Sequence, residues 1–306
     1  MKNNFARIGL ARLCGWFGIT GQAYYQNNWE GVSTTLEEEL MIQQVKKIRS
    51  NHKRMGTRKL YEILHPFMQE HAIKMGRDGL FNLLSANHLL VRKRKRRIKT
   101  TNSFHWLRKY PNLIRGFIPT GINQLWVSDI TYWKLEKDPV YISFITDVYS
   151  HKIVGYQVAD TMEAIESVRA LQMAIDGLGK LLPANLIHHS DRGIQYCSQS
   201  YIKLLKENGI QISMTENGDP LENAVAERVN GIIKDEYLDN YQINSIHEAK
   251  ELLKAVIDLY NNERPHLSIS NFTPNHIHQS KTTIKTERLW KNYYRKRTTI
   301  VNSEQD

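Results

Sequence analysis

The segment between residues 124 and 160 constrains the fold most, because its apolar and polar side chains alternate as they do in strands. The runs QLWVSDITYWKLE, VYISFITDVYS and KIVGYQVAD each follow this period of two. Short turns containing Lys137-Asp138-Pro139 and Ser150-His151 join them. The spacing therefore predicts three hairpin-connected strands that form an antiparallel meander.

After residue 160 the pattern alternates between helical and strand-like segments. A long helix (TMEAIESVRALQMAIDGLG) precedes a strand (NLIHHSD), and a second helix (SQSYIKLLKENG) precedes a short strand (QISMT). Two further helices follow, ENAVAERVNGIIKDEYL and IHEAKELLKAVIDLYNN. A meander followed by this alternation predicts an α/β domain with a mixed sheet of the ribonuclease H kind.

The first third of the chain is predicted to be helical. The segment TTLEEELMIQQVKKIRSNH opens with a capping-box spacing, Thr34-x-x-Glu37. Its expected apolar stripe comprises Leu36, Leu40, Val45 and Ile48. Two further helical segments, TRKLYEILHPFMQEH and RDGLFNLLSANHLL, make a small all-α region that is compatible with a helix-turn-helix. The predicted organisation is a helix-turn-helix-like region (1–90), a basic linker (91–117), the α/β domain (118–280) and a basic C-terminal tail (281–306).

Positive charge is concentrated near the N-terminus. The 306-residue chain carries a net charge of +11, yet residues 1–117 hold 22 basic and only 7 acidic side chains. A surplus of this size favours a polyanionic partner such as DNA. The run RKRKRR is either a solvated or localisation-type segment or a set of contacts to nucleic-acid phosphates. Its members are Arg92, Lys93, Arg94, Lys95, Arg96 and Arg97.

Cysteine usage and hydropathy limit the cellular setting. Cys14 and Cys197 are too few for a disulfide framework or a four-cysteine zinc site, which favours a reducing, cytoplasmic environment. Arg12 interrupts the apolar stretch IGLARLCGWFGITG, and no run approaches the roughly 18 apolar residues that a membrane helix needs. Neither export nor membrane insertion is expected.

Three carboxylates in the α/β domain are candidates for chemistry. Asp129 lies within a predicted strand, where Asp is uncommon, Asp191 ends the fourth strand, and Glu227 lies on the helix after the fifth. Taken singly, they could be an edge-strand charge, a turn residue and a solvated helix position. In the predicted fold, however, the first and fourth strands are neighbours, and the helix can bring Glu227 over them. Converging carboxylates need cations, and oxygen ligands of this kind suit two Mg²⁺ or Mn²⁺ ions that act in phosphodiester transfer.

The helix ENAVAERVNGIIKDEYL separates its carboxylates by position. Asp219 and Pro220 are predicted to start it, which gives Glu222 a capping role. At 100° per residue the apolar stripe comprises Val225, Val229, Ile232 and Ile233, with Glu236 near its edge. The opposite face carries Asn223, Glu227, Asn230 and Lys234. Lys234 is either placed to meet a DNA phosphate or is a solvated lysine, and Asp235, Glu236 and Asp239 are expected to be surface or packing charges.

Several motifs together resemble those of the OrfB-type transposases of insertion-sequence family three, within the retroviral-integrase superfamily. The family's Trp-x-x-Asp-Ile-Thr-Tyr is met by Trp126 and by Asp129 to Tyr132, and its His-Ser-Asp-x-Gly-x-Gln-Tyr by His189 to Tyr196. Its Asn-Ala-x-Ala-Glu is met by Asn223 to Glu227, and its closing Tyr-Asn-x-x-Arg-Pro-His by Tyr260 to His266. The family usually has Asp where this chain has Glu222, and the chain lacks the His₂Cys₂ zinc module of retroviral integrases.

The resemblance implies an integrase catalytic core with the Asp-Asp-Glu triad on Asp129, Asp191 and Glu227, using two Mg²⁺ or Mn²⁺ ions. It implies a cytoplasmic, nucleoid-associated DNA transposase that binds transposon terminal inverted repeats and target DNA and catalyses cleavage and strand transfer. The helix-turn-helix segment, with Arg58, is expected to bind the ends together with the basic run and Lys234. The expected partners are further copies of the chain in a synaptic complex and a helix-turn-helix product of an upstream reading frame.

Some alternatives stay open at this point. His189 could contact the scissile phosphate, orient a ligand, make a structural hydrogen bond, or join His188 and Cys197 in a zinc site. Asn223 is a second candidate accessory residue. The chain as a whole could instead be a non-catalytic DNA-binding regulator derived from a transposase, or a structure-selective nuclease of the same fold.

Overall fold

The computed structural model describes residues 9–18, 20–91, 106–135, 138–179, 183–216 and 223–280. These residues belong to two compact units, one formed by residues 1–51 and 55–91 and the other by residues 52–54 and 92–306. None of the described helices is long and apolar enough to span a membrane. The basic run at residues 92–97, the predicted cap at residues 219–222 and the tail at residues 281–306 lie outside the described residues.

Within the described ranges, the first unit has four helices, α1 (Leu10–Trp16), α2 (Gly21–Asn51), α3 (Thr57–Glu70) and α4 (Arg77–Ala86). Its core joins Met41 and Val45 of α2 with the apolar faces of α3 and α4. Leu60 and Leu64 of α3, and Leu80, Leu83 and Leu84 of α4, are buried as their helical spacing predicts. Helices α3 and α4 are joined by residues 71–76.

Two expectations for α2 are wrong. The helix begins at Gly21 and continues through Thr34, so the Thr34-x-x-Glu37 pattern is not its N-terminus. Leu36 and Leu40 are 59% and 41% exposed, whereas Met41 and Val45 are fully buried. A capping pattern cannot by itself stop a helix whose preceding residues also accept helical geometry.

The second unit is built on a five-stranded mixed sheet with the order β3-β2-β1-β4-β5. The strands are β1 (Leu125–Lys134), β2 (Pro139–Asp147), β3 (Ile153–Ala159), β4 (Ile187–Ser190) and β5 (Gln211–Met214). Strands β1 to β3 form the predicted antiparallel meander, and β4 and β5 continue the sheet in parallel with β1. This is the ribonuclease H-like topology that the sequence predicts.

Helices cover both faces of this sheet. They are α5 (Ala164–Asp176), α6 (Gln199–Glu207), α7 (Ala224–Ile232), α8 (Ile246–Asn262) and α9 (Pro274–Gln279). One apolar cluster packs Trp126 and Ile145 of the sheet with α5 and α6. Another packs Trp133 and Phe144 with α7 and α8. Alternation along β1 therefore places odd-numbered side chains, including Asp129, on the α7 side.

Gly155 allows β3 and α5 to approach closely. A Cβ atom at this position would lie 2.2 Å from the carbonyl oxygen of Ala170 and 2.9 Å from the Cβ atom of Ala174. Neither of these atoms can move away without displacing α5 from the sheet, because one is a backbone atom and the other is bonded directly to the backbone. The close packing of α5 on this face therefore requires glycine at residue 155.

Part of the predicted linker packs on the second unit. Met214 at the end of β5 donates its backbone N–H to the carbonyl oxygen of Pro111, at 3.3 Å. The backbone N–H of Leu113 donates to Ser213 Oγ at 2.9 Å, and Ile114 is buried against Leu125 and Ile187. Residues 111–114 thus lie beside β5 and cover this end of the sheet.

Candidate active site

The pairing of β1 with β4 places two carboxylates at the same edge of the sheet. Ser128 and Ser190 are the last residues in parallel register, Asp129 comes next on β1, and Asp191 directly follows β4. Adjacent strands in a sheet lie about 4.8 Å apart, so side chains that follow one register pair are neighbours on one face. The parallel pairing, rather than sequence proximity, therefore brings Asp129 and Asp191 together.

Both oxygens of Asp129 are engaged by donors. The backbone N–H of Ile130 donates to Oδ1 at 2.9 Å, and Asn230 Nδ2 donates to Oδ2 at 2.7 Å. Burial, together with the charges of Asp191 and Glu227, nonetheless raises the pKa of Asp129 from its ordinary value of 3.8 to about 8, against the lowering effect of these two donors. A carboxylate with such a pKa is protonated at neutral pH unless a cation replaces the proton.

Asp191 is held in a turn by its own chain. The backbone N–H of Gly193 donates to Asp191 Oδ1 at 2.9 Å. A Cβ atom at residue 193 would lie 2.9 Å from this oxygen and 3.3 Å from Oε1 of Gln195, so any larger residue would displace the carboxylate. Asp191 is therefore a turn residue, which is one of the roles that the sequence predicts for it. Its negative charge also raises the pKa of Asp129.

Helix α7 carries Glu227 on an exposed position while its neighbours bind β1. Asn223 and Asn230 are each only 6% exposed, and Asn223 Nδ2 donates to the carbonyl oxygen of Ser128 at 2.9 Å. The face predicted from the helical period is thus the face that meets the carboxylates. The predicted apolar stripe is confirmed for Val229, Ile232 and Ile233, but Ala226 rather than Val225 is its buried first member.

The chemistry of the three candidate carboxylates fits a divalent cation. Among the described residues, however, these side chains do not form a complete coordination shell. All three candidate groups are hard oxygen donors, and the negative charge of two of them raises the pKa of the third. Within the described ranges, no group of three or more His, Cys, Asp or Glu side chains could hold a metal ion as it stands. The amide oxygens of Asn223 and Asn230 are buried without a hydrogen-bond partner among those residues.

Comparison with known proteins identifies the family. Two family models, both described as integrase core domain, match residues 119–220 and 208–274. The 31 kDa protein of insertion element IS600 from Shigella sonnei is 35% identical over 86% of this chain and 96% of its own length. The chain belongs to the OrfB-type transposases of insertion-sequence family three. It is a DNA transposase, an enzyme of the polynucleotidyl-transferase type.

Further relatives span most of the transposase. The transposase for insertion sequence element IS629 of Shigella sonnei is 29% identical over 84% of this chain and 87% of its own. Among solved structures, the catalytic core domain of HTLV-2 integrase in complex with magnesium aligns with 52% of this chain and 97% of that chain. Its TM-score is 0.41 and its sequence identity 24%.

The histidines near the carboxylates have separate partners in the transposase. His189 is fully buried, and its Nδ1 lies 2.8 Å from Ser213 Oγ on β5. His188 Nε2 lies 2.9 Å from the Tyr201 hydroxyl, and Cys197 Sγ lies 3.7 Å from Met214 Sδ. These contacts support a structural role for His189. Its hydrogen bond links β4 to β5 two residues before Asp191.

The residues predicted to bind DNA are distributed over both units. Arg58 is exposed on the first turn of α3 in the first unit. Lys234 follows α7 in the second unit, where its Nζ lies 4.2 Å from the centroid of the Tyr132 ring. A lysine held over an aromatic face keeps its charge, so Lys234 can still contact a phosphate.

Arg264, which lies within the motif Tyr260–His266, forms a buried ion pair with Glu236. Arg264 is 1% exposed and donates from Nε and Nη2 to the two carboxylate oxygens of Glu236, each at 2.8 Å. Its Nη1 lies 2.9 Å from His266 Nε2. Glu236 belongs to a π-helical turn, Ile233–Tyr237, that follows α7. Glu236, with 18% of its side chain exposed, is therefore a packing charge, which is one of the two roles that the sequence predicts for it.

The raised pKa of Asp129 predicts how stability depends on pH in metal-free protein. The folded state holds a proton on Asp129 that the unfolded state releases near its ordinary value, 3.8, so stability falls as pH rises from about 4 to about 8. Between about pH 6.5 and pH 8, the unfolding free energy in EDTA should fall by about 2 kcal/mol more in the unmodified chain than in Asp129→Asn. Urea denaturation at both pH values measures this difference.

Burial lowers the pKa of His151 to about 4 and that of His188 to about 3, and their contribution cancels in this comparison because Asp129→Asn retains both histidines. Parallel pH profiles for the unmodified chain and Asp129→Asn would contradict a raised pKa at Asp129. A larger fall in Asp129→Asn would contradict it as well.

Proposed function

We propose that this transposase binds the terminal inverted repeats of its element and catalyses metal-dependent DNA cleavage and strand transfer at Asp129, Asp191 and Glu227. The observation that carries the proposal is the raised pKa of Asp129, which has Asp191 and Glu227 among its causes. Strongly shifted carboxylates concentrate at catalytic sites. Membership of the transposase family indicates the reaction class. The raised pKa of Asp129 and its interaction with Asp191 and Glu227 support the choice of these three residues.

Each residue of the proposed site has a separate role. Asp129 presents a carboxylate whose orientation two donors fix, Asp191 is held by the Gly193 N–H, and Glu227 approaches from α7. These three would hold two Mg²⁺ or Mn²⁺ ions, which activate water or a 3′-hydroxyl and stabilise the leaving oxygen. Lys234 would neutralise a DNA phosphate, and His189 would support β4, the strand that precedes Asp191. No covalent bond between protein and DNA is required.

The first unit is the proposed reader of the transposon ends. Helices α3 and α4 have the order and short connection of a helix-turn-helix, and α4 exposes Phe81, Asn82 and Ser85. Asn and Ser can bond base edges in the major groove, while Arg58 can contact phosphate. The basic run at residues 92–97 would add phosphate contacts, and a synaptic complex would contain several copies of the chain acting on DNA in the cytoplasm, with or without an upstream-frame partner.

End-specific strand joining tests the proposed function. Purified full-length protein is mixed with duplexes that carry either the element's terminal repeat or a scrambled repeat, and with supercoiled target DNA, in Mg²⁺ or in EDTA. We expect 3′-end nicking and joining of the authentic end in Mg²⁺ alone. Cleavage of branched DNA without joining would instead identify a structure-selective nuclease, and specific binding without any strand cleavage would identify a regulator.

A further inference from the structure

Two asparagines flank Glu227 on α7 and both bind β1. Asn223 lies four residues before Glu227 and Asn230 three residues after it, so the three share one side of the helix. Asn223 donates to the Ser128 carbonyl oxygen at 2.9 Å, and Asn230 donates to Asp129 Oδ2 at 2.7 Å. Consecutive residues of β1 thus receive one bond each from consecutive turns of α7.

The two bonds have different consequences because their acceptors differ. The Ser128 acceptor is a backbone atom, whose position the sheet already fixes, so the Asn223 bond docks the helix. The Asp129 acceptor is a side-chain carboxylate, whose final torsion has a broad energy profile. Its Oδ1 is held by the Ile130 N–H at 2.9 Å, and the Asn230 bond holds Oδ2. Together the two donors fix the plane of the carboxylate.

The amide oxygen of Asn230 points to a ligand. Asn230 is 6% exposed, and its Oδ1 is buried without a hydrogen-bond partner among the described residues. Leaving a buried acceptor unsatisfied costs about 1–3 kcal/mol. When a cation has replaced the proton of Asp129, the amide cannot be turned round to avoid this cost, because an ionised carboxylate only accepts hydrogen bonds and would then face another acceptor. Oδ1 therefore requires a donor beside Asp129, and a cation-bound water is such a donor.

We propose that Asn230 is a positioning residue for the metal site: its nitrogen orients the Asp129 carboxylate for a divalent cation, and its oxygen accepts a hydrogen bond from a water on that cation. This role rests on the proposed function, because it presupposes a cation at Asp129. It assigns to Asn230 an effect on metal affinity that Asn223 does not share.

Mn²⁺ binding to the full-length protein, followed by electron paramagnetic resonance without DNA, tests this role. Asn230→Leu preserves the approximate side-chain volume and removes both polar atoms, and Asn223→Leu is the matched control on the same helix face. We expect Asn230→Leu to weaken Mn²⁺ binding by about 10- to 100-fold, as loss of a group that orients a metal ligand commonly does. Asn223→Leu should change it by less than about threefold, since Asn223 donates to the backbone oxygen of Ser128 and not to a carboxylate of the proposed metal site.

Thermal unfolding of each variant shows whether the fold is retained, and Asn230→Ser replaces Asn230→Leu if the latter does not fold. Unchanged Mn²⁺ affinity in the Asn230 variant would overturn the proposal. Equal weakening in the Asn223 and Asn230 variants would overturn it too, because Asn230 would then act only by docking α7. Failure of the proposed metal site itself is distinguishable: the unmodified chain would not bind Mn²⁺, or Asp129→Asn would bind it equally well.

Discussion

Replacing Glu227 with Gln is expected to reduce end joining by at least about 1,000-fold while end binding changes by less than about twofold. Gln keeps the size and hydrogen-bonding capacity of Glu but removes the charge that a divalent cation needs. A catalytic metal stabilises the transition state by several kcal/mol, and each 1.36 kcal/mol corresponds to about tenfold in rate. Glu227 is exposed on α7, so the substitution leaves the core intact.

Asp235→Asn is the matched control for Glu227→Gln. Asp235 is another exposed carboxylate, eight residues further along the same helical segment. Its neutralisation should leave joining within about twofold, because exposed charges distant from the site are strongly screened. Joining rates come from single-turnover assays and binding from fluorescence anisotropy. Full joining activity in Glu227→Gln, or an equal loss in Asp235→Asn, would remove Glu227 from the catalytic set.

Replacing Arg264 with Met is expected to lower the unfolding free energy by about 3–5 kcal/mol. Met retains much of the apolar stem but leaves Glu236 without the two guanidinium bonds that it now accepts. The guanidinium is 1% exposed and the Glu236 side chain 18% exposed, so water can replace little of what is lost. Urea denaturation followed by circular dichroism measures the change.

Two further variants check the cause of this instability. Glu236→Gln in the Arg264→Met background should recover part of the loss, because it removes the uncompensated charge. Arg169→Ala breaks an exposed ion pair, with Arg169 60% exposed and its Nη1 2.6 Å from Glu166, and should cost less than about 1 kcal/mol. Similar losses in Arg264→Met and Arg169→Ala would show that burial does not set the strength of the Arg264 pair.

The order of elements in the second unit was predictable because each strand and helix has its own hydrophobic period. The three hairpin strands, the parallel β4 and β5 and helix α8, Ile246–Asn262, all follow from spacing that is local in the chain. The start of α2 and the π-helical turn at Ile233–Tyr237 were not predictable in this way. Both depend on packing that outweighs local preferences, which a capping pattern or a fixed helical period does not contain.

The residues of the candidate site were likewise predictable only in part from the sequence. Spacing and motif order picked out Asp129, Asp191 and Glu227, and the helical period placed Asn223, Asn230 and Lys234 on the face with Glu227. A role for Asn230 was missed, although its position three residues after Glu227 on a polar helix face was visible. The missing information was the acceptor, since only the pairing of α7 with β1 shows that Asn230 bonds Asp129 rather than solvent.

The sequence by itself determined that Asp129, an aspartate within a strand, needed an explanation, and the structure places a second aspartate, Asp147, at the end of β2. In the structure Asp147 is fully buried and accepts bonds from the N–H groups of Asn123 and Ser150, at 2.7 and 2.8 Å, and from the Ser150 hydroxyl. These donors assign Asp147 to the β2–β3 turn. Asp129 instead faces two other carboxylates, because β1 pairs in parallel with β4 and packs under α7. The local sequence pattern thus indicated which residue types to consider. Contacts between segments distant in sequence show that Asp147 has a structural role and that Asp129 lies beside other carboxylates.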